Sequence, residues 1–108
     1  MDVISAADLR RRFEDYLMVE LRLSPRTVET YVREVGLYLD YLDEQSAEAE
    51  QQQSVDIIRY LVHRQTSENG VEQRTIAKVL SALRSFFQFL VLEGARGDNP
   101  ALSVDMPK

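Results

Sequence analysis

Apolar residues recur at helical spacing along almost the whole chain, and the residues that break helices are nearly missing until its end. Four glycines and three prolines serve 108 residues. Stripes of period 3.6 this long leave little room for the alternation a strand requires, so the chain is expected to be all-α. Four main helices are legible. The first runs from about Asp8 to Leu21, with Ser5 as its N-cap and Leu9, Phe13, Tyr16, Leu17 and Leu21 as its stripe. The second has the clearest start. Ser24 stands at the cap and Pro25 at the first helical position, where a missing N–H costs nothing. Val28, Tyr31, Val32, Val35, Leu39 and Leu42 form its buried face.

The segment from Glu44 to Gln53 lacks large apolar residues and reads as an exposed linker. A third helix starts at Ser54 and runs to about Gln65, with Ile57, Ile58, Leu61 and Val62 as core contacts. Asn69-Gly70 marks a turn. The fourth helix runs from about Gln73 to Glu93 on Ile76, Val79, Leu80, Leu83, Phe87, Leu90 and Val91. Phe86, Phe89 and Leu92 broaden its apolar surface toward the C-terminal end. The other helices or a partner must cover that surface, and if it is only partly covered it becomes a self-association face. Gly94 or Gly97 ends the helix. Asn99-Pro100 then imposes an extended step, with a short turn at Ala101 to Ser103. Arg26-Thr27-Val28 and Arg74-Thr75-Ile76 open the second and fourth helices alike, a short internal repeat.

Several function classes are disfavoured. The chain has no cysteine and one histidine, His63, so thiolate chemistry and a His-cluster metal site are excluded. No glycine-rich phosphate loop and no nucleophile beside a base is present. Of the five tyrosines, Tyr31 falls on a core stripe, Tyr16, Tyr38 and Tyr60 border one and Tyr41 lies off it; all read as amphipathic packing with the hydroxyl reaching water. No enzymatic activity, cofactor, metal or small-molecule substrate is expected. No uninterrupted apolar run reaches membrane-spanning length and the first residues lack a secretory pattern, so no membrane partner and a cytoplasmic location are expected.

The formal net charge of −5 speaks against a polyanionic partner at first sight. Its distribution does not. Asp40, Asp43, Glu44, Glu48, Glu50 and Asp56 fall in one stretch without a Lys or Arg, and outside it basic residues slightly outnumber acidic ones. The polar face of the second helix carries Arg26, Thr30 and Arg33, and that of the fourth carries Arg74, Lys78, Ser81 and Ser85. Each face begins with a cation at a helix N-terminus, where free N–H groups and the helix dipole already favour an anion. Thr27 and Thr75 add hydroxyls in the first turns. Small polar residues along a helix permit close approach to a groove. An ordinary solvated face would carry the same residue types, and Arg84 and Arg22 could equally pair with acids.

The combination of motifs narrows the choice. Leu23-Ser24-Pro25-Arg26-Thr27-Val28 with Tyr31 resembles the second-helix motif of tyrosine recombinases, the phage-integrase and Xer-like family. Arg74-Thr75-Ile76, then Leu80 through Phe87 and Phe89-Leu90, is similar to the family's fourth-helix signature. Asn99-Pro100-Ala101 and Met106-Pro107-Lys108 resemble its run into the catalytic domain. The resemblance implies a SAM-like, four-helix orthogonal bundle that clamps one face of duplex DNA. It implies residues 1–104 as the helical DNA-binding (core-binding) domain and 105–108 as the start of a linker to a catalytic domain that this chain does not contain. The residues then expected to face DNA are Arg26, Thr27, Thr30, Arg33, Arg74, Thr75, Lys78, Ser81, Arg84 and Ser85. The partners implied are double-stranded DNA and other recombinase protomers. One departure stands out: the family's usual serine at the cap of the fourth helix is Glu72 here, a carboxylate able to accept from a helix N–H. The alternative reading is a helical protein-interaction module without DNA binding, motivated by the acidic balance and the aromatic end of the fourth helix.

Overall fold

The structure, a computed structural model, describes residues 6–67 and 72–105. The Ser5 cap, the Asn69-Gly70 turn and the Met106-Pro107-Lys108 linker start lie outside the described residues. Within them the chain is helical without strands. α1 is Ala6–Asp15, α2 is Pro25–Glu44, α3 is Ser54–Thr66 and α4 is Gln73–Leu92.

Local chemistry sets most of the boundaries. Ser24 caps α2 through its side chain, which accepts from the Thr27 N–H at 3.3 Å. α2 ends in a paired closure, with Ala47 N–H on Leu42 O at 2.9 Å and Ser46 N–H on Asp43 O at 3.1 Å. This places Ser46 at φ 53°, a left-handed conformation that glycine adopts more cheaply. α4 closes the same way. Ala95 donates to Leu90 O and Gly94 to Val91 O, with Gly94 at φ 77°. Gly94 is therefore the terminator, and Gly97 is not. α3 begins with a reciprocal cap in which the Gln53 N–H donates to Asp56 Oδ2 at 2.8 Å.

α4 is the central helix, and Ile76, Val79, Leu83, Phe86, Phe87 and Leu90 on it are all at most 1% exposed. By length and composition it could cross a bilayer, yet half of that window is buried inside the bundle, so packing accounts for much of its apolarity. α2 contributes Val35, Tyr38 and Leu42, and α1 contributes Phe13. Phe13 meets Phe86 edge-on at 5.4 Å and Phe89 at 5.7 Å. Another helix thus covers the aromatic end, the first of the two coverings expected, and the self-association face that depended on partial cover is removed. Phe86 is 0% and Phe89 4% exposed because α1 lies over them, and Leu92 alone of the three faces solvent.

Three further expectations change. The first helix is not uniform to Leu21. α1 stops at Asp15 and a π-helical turn, Tyr16–Glu20, follows. A π turn adds a residue per turn, which rotates what comes next. Leu17 stays in the core, whereas Leu21 is turned outward. On α3 the buried stripe is Ile57, Tyr60 and Leu61, while Ile58 and Val62 are each 42% exposed. Spacing allowed either flank of Ile57 and Leu61, and Tyr60 wins because its ring packs edge-on against Tyr38 and tilted against Tyr41. The segment from Glu44 to Gln53 is largely exposed, as expected, but it is tied to the bundle. A 3-10 turn, Ala49–Gln51, buries Ala49, and Arg96 Nη1 donates to Ala49 O at 3.0 Å and Gln52 O at 2.8 Å.

Candidate nucleic-acid interface

Arg26, Thr30 and Arg33 fall at i, i+4 and i+7 on the side of α2 away from its buried residues. Arg74, Lys78, Ser81 and Ser85 do the same on α4. The fold brings the two sets side by side. Arg26, Thr27, Thr30, Tyr31 and Lys78 line one shallow cleft of about 230 Å³ between α2 and α4. Arg74 is exposed one turn before Lys78, Thr75 is half-buried beside it, and Ser81 and Ser85 are half-buried further along. Arg33 is exposed but borders a different, largely apolar groove of about 500 Å³ with Met18, Leu23, Pro25, Val28 and Val32.

Tyr31 was readable only as a core-stripe residue. It is half-buried and also forms a wall of the cleft, a double role that its spacing does not signal. The hydroxyls are partly committed. Thr30 donates its one proton to Arg26 O at 3.0 Å, so it faces the cleft only as an acceptor. Thr27 Oγ1 lies 3.0 Å from Ser24 Oγ, which donates to it, so its own proton is left to point outward. Glu72 occupies the N-cap position of α4 without a side-chain cap bond, and the first turn there closes on its carbonyl through Thr75 and Ile76.

Arg84 has a different job. Its Nε donates to Ala101 O at 3.2 Å and its Nη2 to Val104 O at 2.7 Å. It is a clamp on the segment that follows α4. Asn99 completes the clamp, donating to Arg84 O at 3.0 Å and accepting from the Ala101 N–H at 3.1 Å. Ala101 and Val104 are buried as a result. Arg84 sits on the flank of α4 where that segment packs, and spacing alone does not separate it from the cations that face outward.

The electrostatics divide the cations into two sets. Arg10, Arg11, Arg12, Arg59, Arg64 and Arg96 each pair with a carboxylate, at distances from 2.9 to 3.6 Å. Among the described residues no ion pair involves Arg22, Arg26, Arg33, Arg74 or Lys78. All five lie on α2, on the first half of α4, or in the turn just before α2. Arg22 sits in that turn, exposed and at φ 52°. No group of three or more metal-ligating side chains occurs among the described residues.

Residues 11–94 match the family model described as phage integrase, N-terminal SAM-like domain. The tyrosine recombinase XerC of Haemophilus influenzae (strain KW20 / Rd) is 31% identical over 97 residues, which is 90% of this chain and 32% of that protein. XerC of Escherichia coli O139:H28 is 36% identical over 97 residues, again 90% of this chain and 32% of the relative. A tyrosine recombinase of Pseudothermotoga lettingae is 33% identical over 98 residues, 91% of this chain and 34% of the relative. The chain thus spans about a third of the length of the curated relatives it matches.

Proposed function

We propose that this chain, which belongs to the phage integrase N-terminal SAM-like domain family, binds duplex DNA as the clamping domain of a site-specific tyrosine recombinase. The observation that carries this reading is the cleft where Arg26 and Lys78 meet, flanked by Arg74, with no carboxylate paired to any of the three among the described residues. Cations left unpaired at two adjacent helix starts suit phosphates, because each brings charge without first having to break an internal ion pair. Ser81 and Ser85 continue the α4 face with short side chains that suit close approach to base edges. Arg33 and Arg22 extend the positive surface, and Thr75 adds a hydroxyl in the first turn of α4. Arg84 is assigned to the fold and Thr30 to an accepting role.

Residues 1–104 form the DNA-binding unit in this reading, and 105–108 begin the connection to a catalytic domain. DNA breaking and rejoining belong to that domain, and the chain alone has no nuclease or topoisomerase activity. Other recombinase protomers on the same DNA are the protein partners, and the location is the cytoplasm, where bacterial DNA lies. The competing idea of a protein-interaction module keeps the acidic balance but has lost the exposed aromatic surface as a motive, since Phe86 and Phe89 are buried.

The test is a salt titration of duplex binding. Three to five phosphate contacts predict a slope of log K against log salt of roughly −3 to −4.5. Replacing Arg26, Arg74 and Lys78 together by alanine flattens that slope by about 2.7 and leaves the circular dichroism spectrum helical. Unchanged affinity and slope in the triple variant would show that these two helices are not the DNA-facing surface.

A further inference from the structure

Glu34 is the one buried acid among the described residues, 3% exposed. It lies on α2 one turn beyond Thr30 and Tyr31, and so beside the cleft. Its carboxylate accepts from Arg64 Nη1 at 3.0 Å. The same nitrogen donates to Tyr60 Oη at 3.1 Å, and the guanidinium lies 5.9 Å from that ring's centroid. Burial works against the charge on Arg64, but the bonds to Glu34 and Tyr60 outweigh it and hold its pKa above the usual value. Arg64 stands in the last turn of α3. Its neighbour Gln65 donates to Gln73 Oε1 at 3.4 Å, in the first turn of α4. A polar path therefore runs from α2, through the end of α3, to the helix start that carries Arg74 and Lys78.

A buried ion pair is a poor way to add stability, because desolvation of both charges offsets their attraction and apolar side chains of similar volume often do as well. What it adds is direction: the bonds form only at one separation and one orientation of the helices that carry them. We propose that the Glu34–Arg64–Tyr60 network is a positioning device. It fixes the start of α4 against α2, and so sets the spacing of Lys78 and Arg74 from Arg26 to match phosphates along the DNA backbone. The inference rests on the reading of the cleft as the phosphate-facing surface. Glu34 and Arg64 themselves touch no DNA.

The test uses the whole 108-residue chain, a fluorescently labelled mixed-sequence duplex and a salt series, with thermal melts in parallel. The double variant Glu34→Gln/Arg64→Met removes both charges and leaves neither one buried alone. It is expected to melt close to the parent, to bind roughly tenfold more weakly at low salt, and to flatten the salt slope by about 0.9, the equivalent of one phosphate contact. In a Lys78→Ala background the same double change should cost only about twofold, because the cation being positioned is gone and the two effects cannot add. Arg64→Lys keeps the charge and falls between parent and double variant. A double variant that folds and binds with the parent's affinity and slope would overturn the inference, and so would a loss undiminished in the Lys78→Ala background. Should the double variant fail to fold, Arg64→Lys decides, and parental binding there overturns the inference. A parent chain with no salt-dependent binding would sink the underlying reading first, and this inference with it, before any variant is made.

Discussion

Arg11 on α1 and Arg26 on α2 are both exposed cations, yet Arg11 is held at 2.9 Å by Asp8 and Arg26 has no such partner among the described residues. The contrast extends beyond these two. The starts of α2 and α4 leave their cations open. Around the Ala49–Gln51 turn and the segment after α4 the cations are turned inward instead, with Arg84 and Arg96 both bonded to backbone carbonyls. Net charge ranks these regions wrongly. A chain of formal charge −5 can still present a positive surface, because what a phosphate meets is the local residue of unpaired charge.

On this division, changes in one region move binding and changes in the other move stability. The largest effect should come from reversing charge at the open end. Arg26→Glu with Lys78→Glu should weaken duplex binding by more than about a hundredfold at low salt with little change in melting temperature, since two phosphate contacts become repulsions. Arg11→Glu, at a paired position, should change binding far less. A similar loss from both would erase the distinction.

Next comes the closed region. Arg84→Ala or Arg96→Ala removes two hydrogen bonds to backbone carbonyls, and each should lower stability by about 2 kcal/mol while leaving the salt slope of DNA binding unchanged. A flatter slope for Arg84→Ala would return that residue to the interface. Denaturant titration and the binding assay, run on the same preparations, separate the outcomes.

Tyr38 should give a smaller effect of opposite sign. It is fully buried and its hydroxyl has no hydrogen-bond partner among the described residues. Tyr38→Phe should therefore stabilise the fold by about 1 kcal/mol. Burial, and secondarily Asp56, raises the phenol's pKa above its ordinary 10.0. The folded state thus holds this proton more tightly than the unfolded chain does. The associated stability is complete below pH 10.0 and is lost as pH climbs beyond it. Melting temperature should fall above that pH, and should fall less in Tyr38→Phe. The smallest effect is at Ser46, whose left-handed backbone should make Ser46→Gly stabilising by roughly 0.5 to 1 kcal/mol, again with DNA binding untouched.

Much of this could be read from residues alone, for a physical reason. Ser24-Pro25, Gly94 and the stripes of α2 and α4 act within a few positions of themselves, so their consequences are local and legible. The misreadings share the opposite property. Arg84 looks like its outward-facing neighbours until the segment from Asn99 to Val104 folds back onto it. Ile58 and Val62 are more apolar than Tyr60, yet its ring contacts with Tyr38 and Tyr41 decide which flank of α3 turns inward. Phe86 and Phe89 seemed in excess only because a stripe on one helix does not show which helix will lie across it. The adjacency of Arg26 and Lys78, two residues from separate helices, is likewise a product of the α2 and α4 contact. The short repeat at their starts hinted at similar helices without saying that they would meet.

The clamp that Arg84, Asn99 and Ser54 place on the segment after α4 also has a mechanical meaning. Ser54 Oγ donates to Pro100 O at 2.8 Å, which anchors that segment to α3 as well as to α4. The segment up to Val104 is therefore held at fixed points, without slack. A pull applied to the chain there would load the central helix directly, as a rigid lever does, and would not be absorbed by a loose tether.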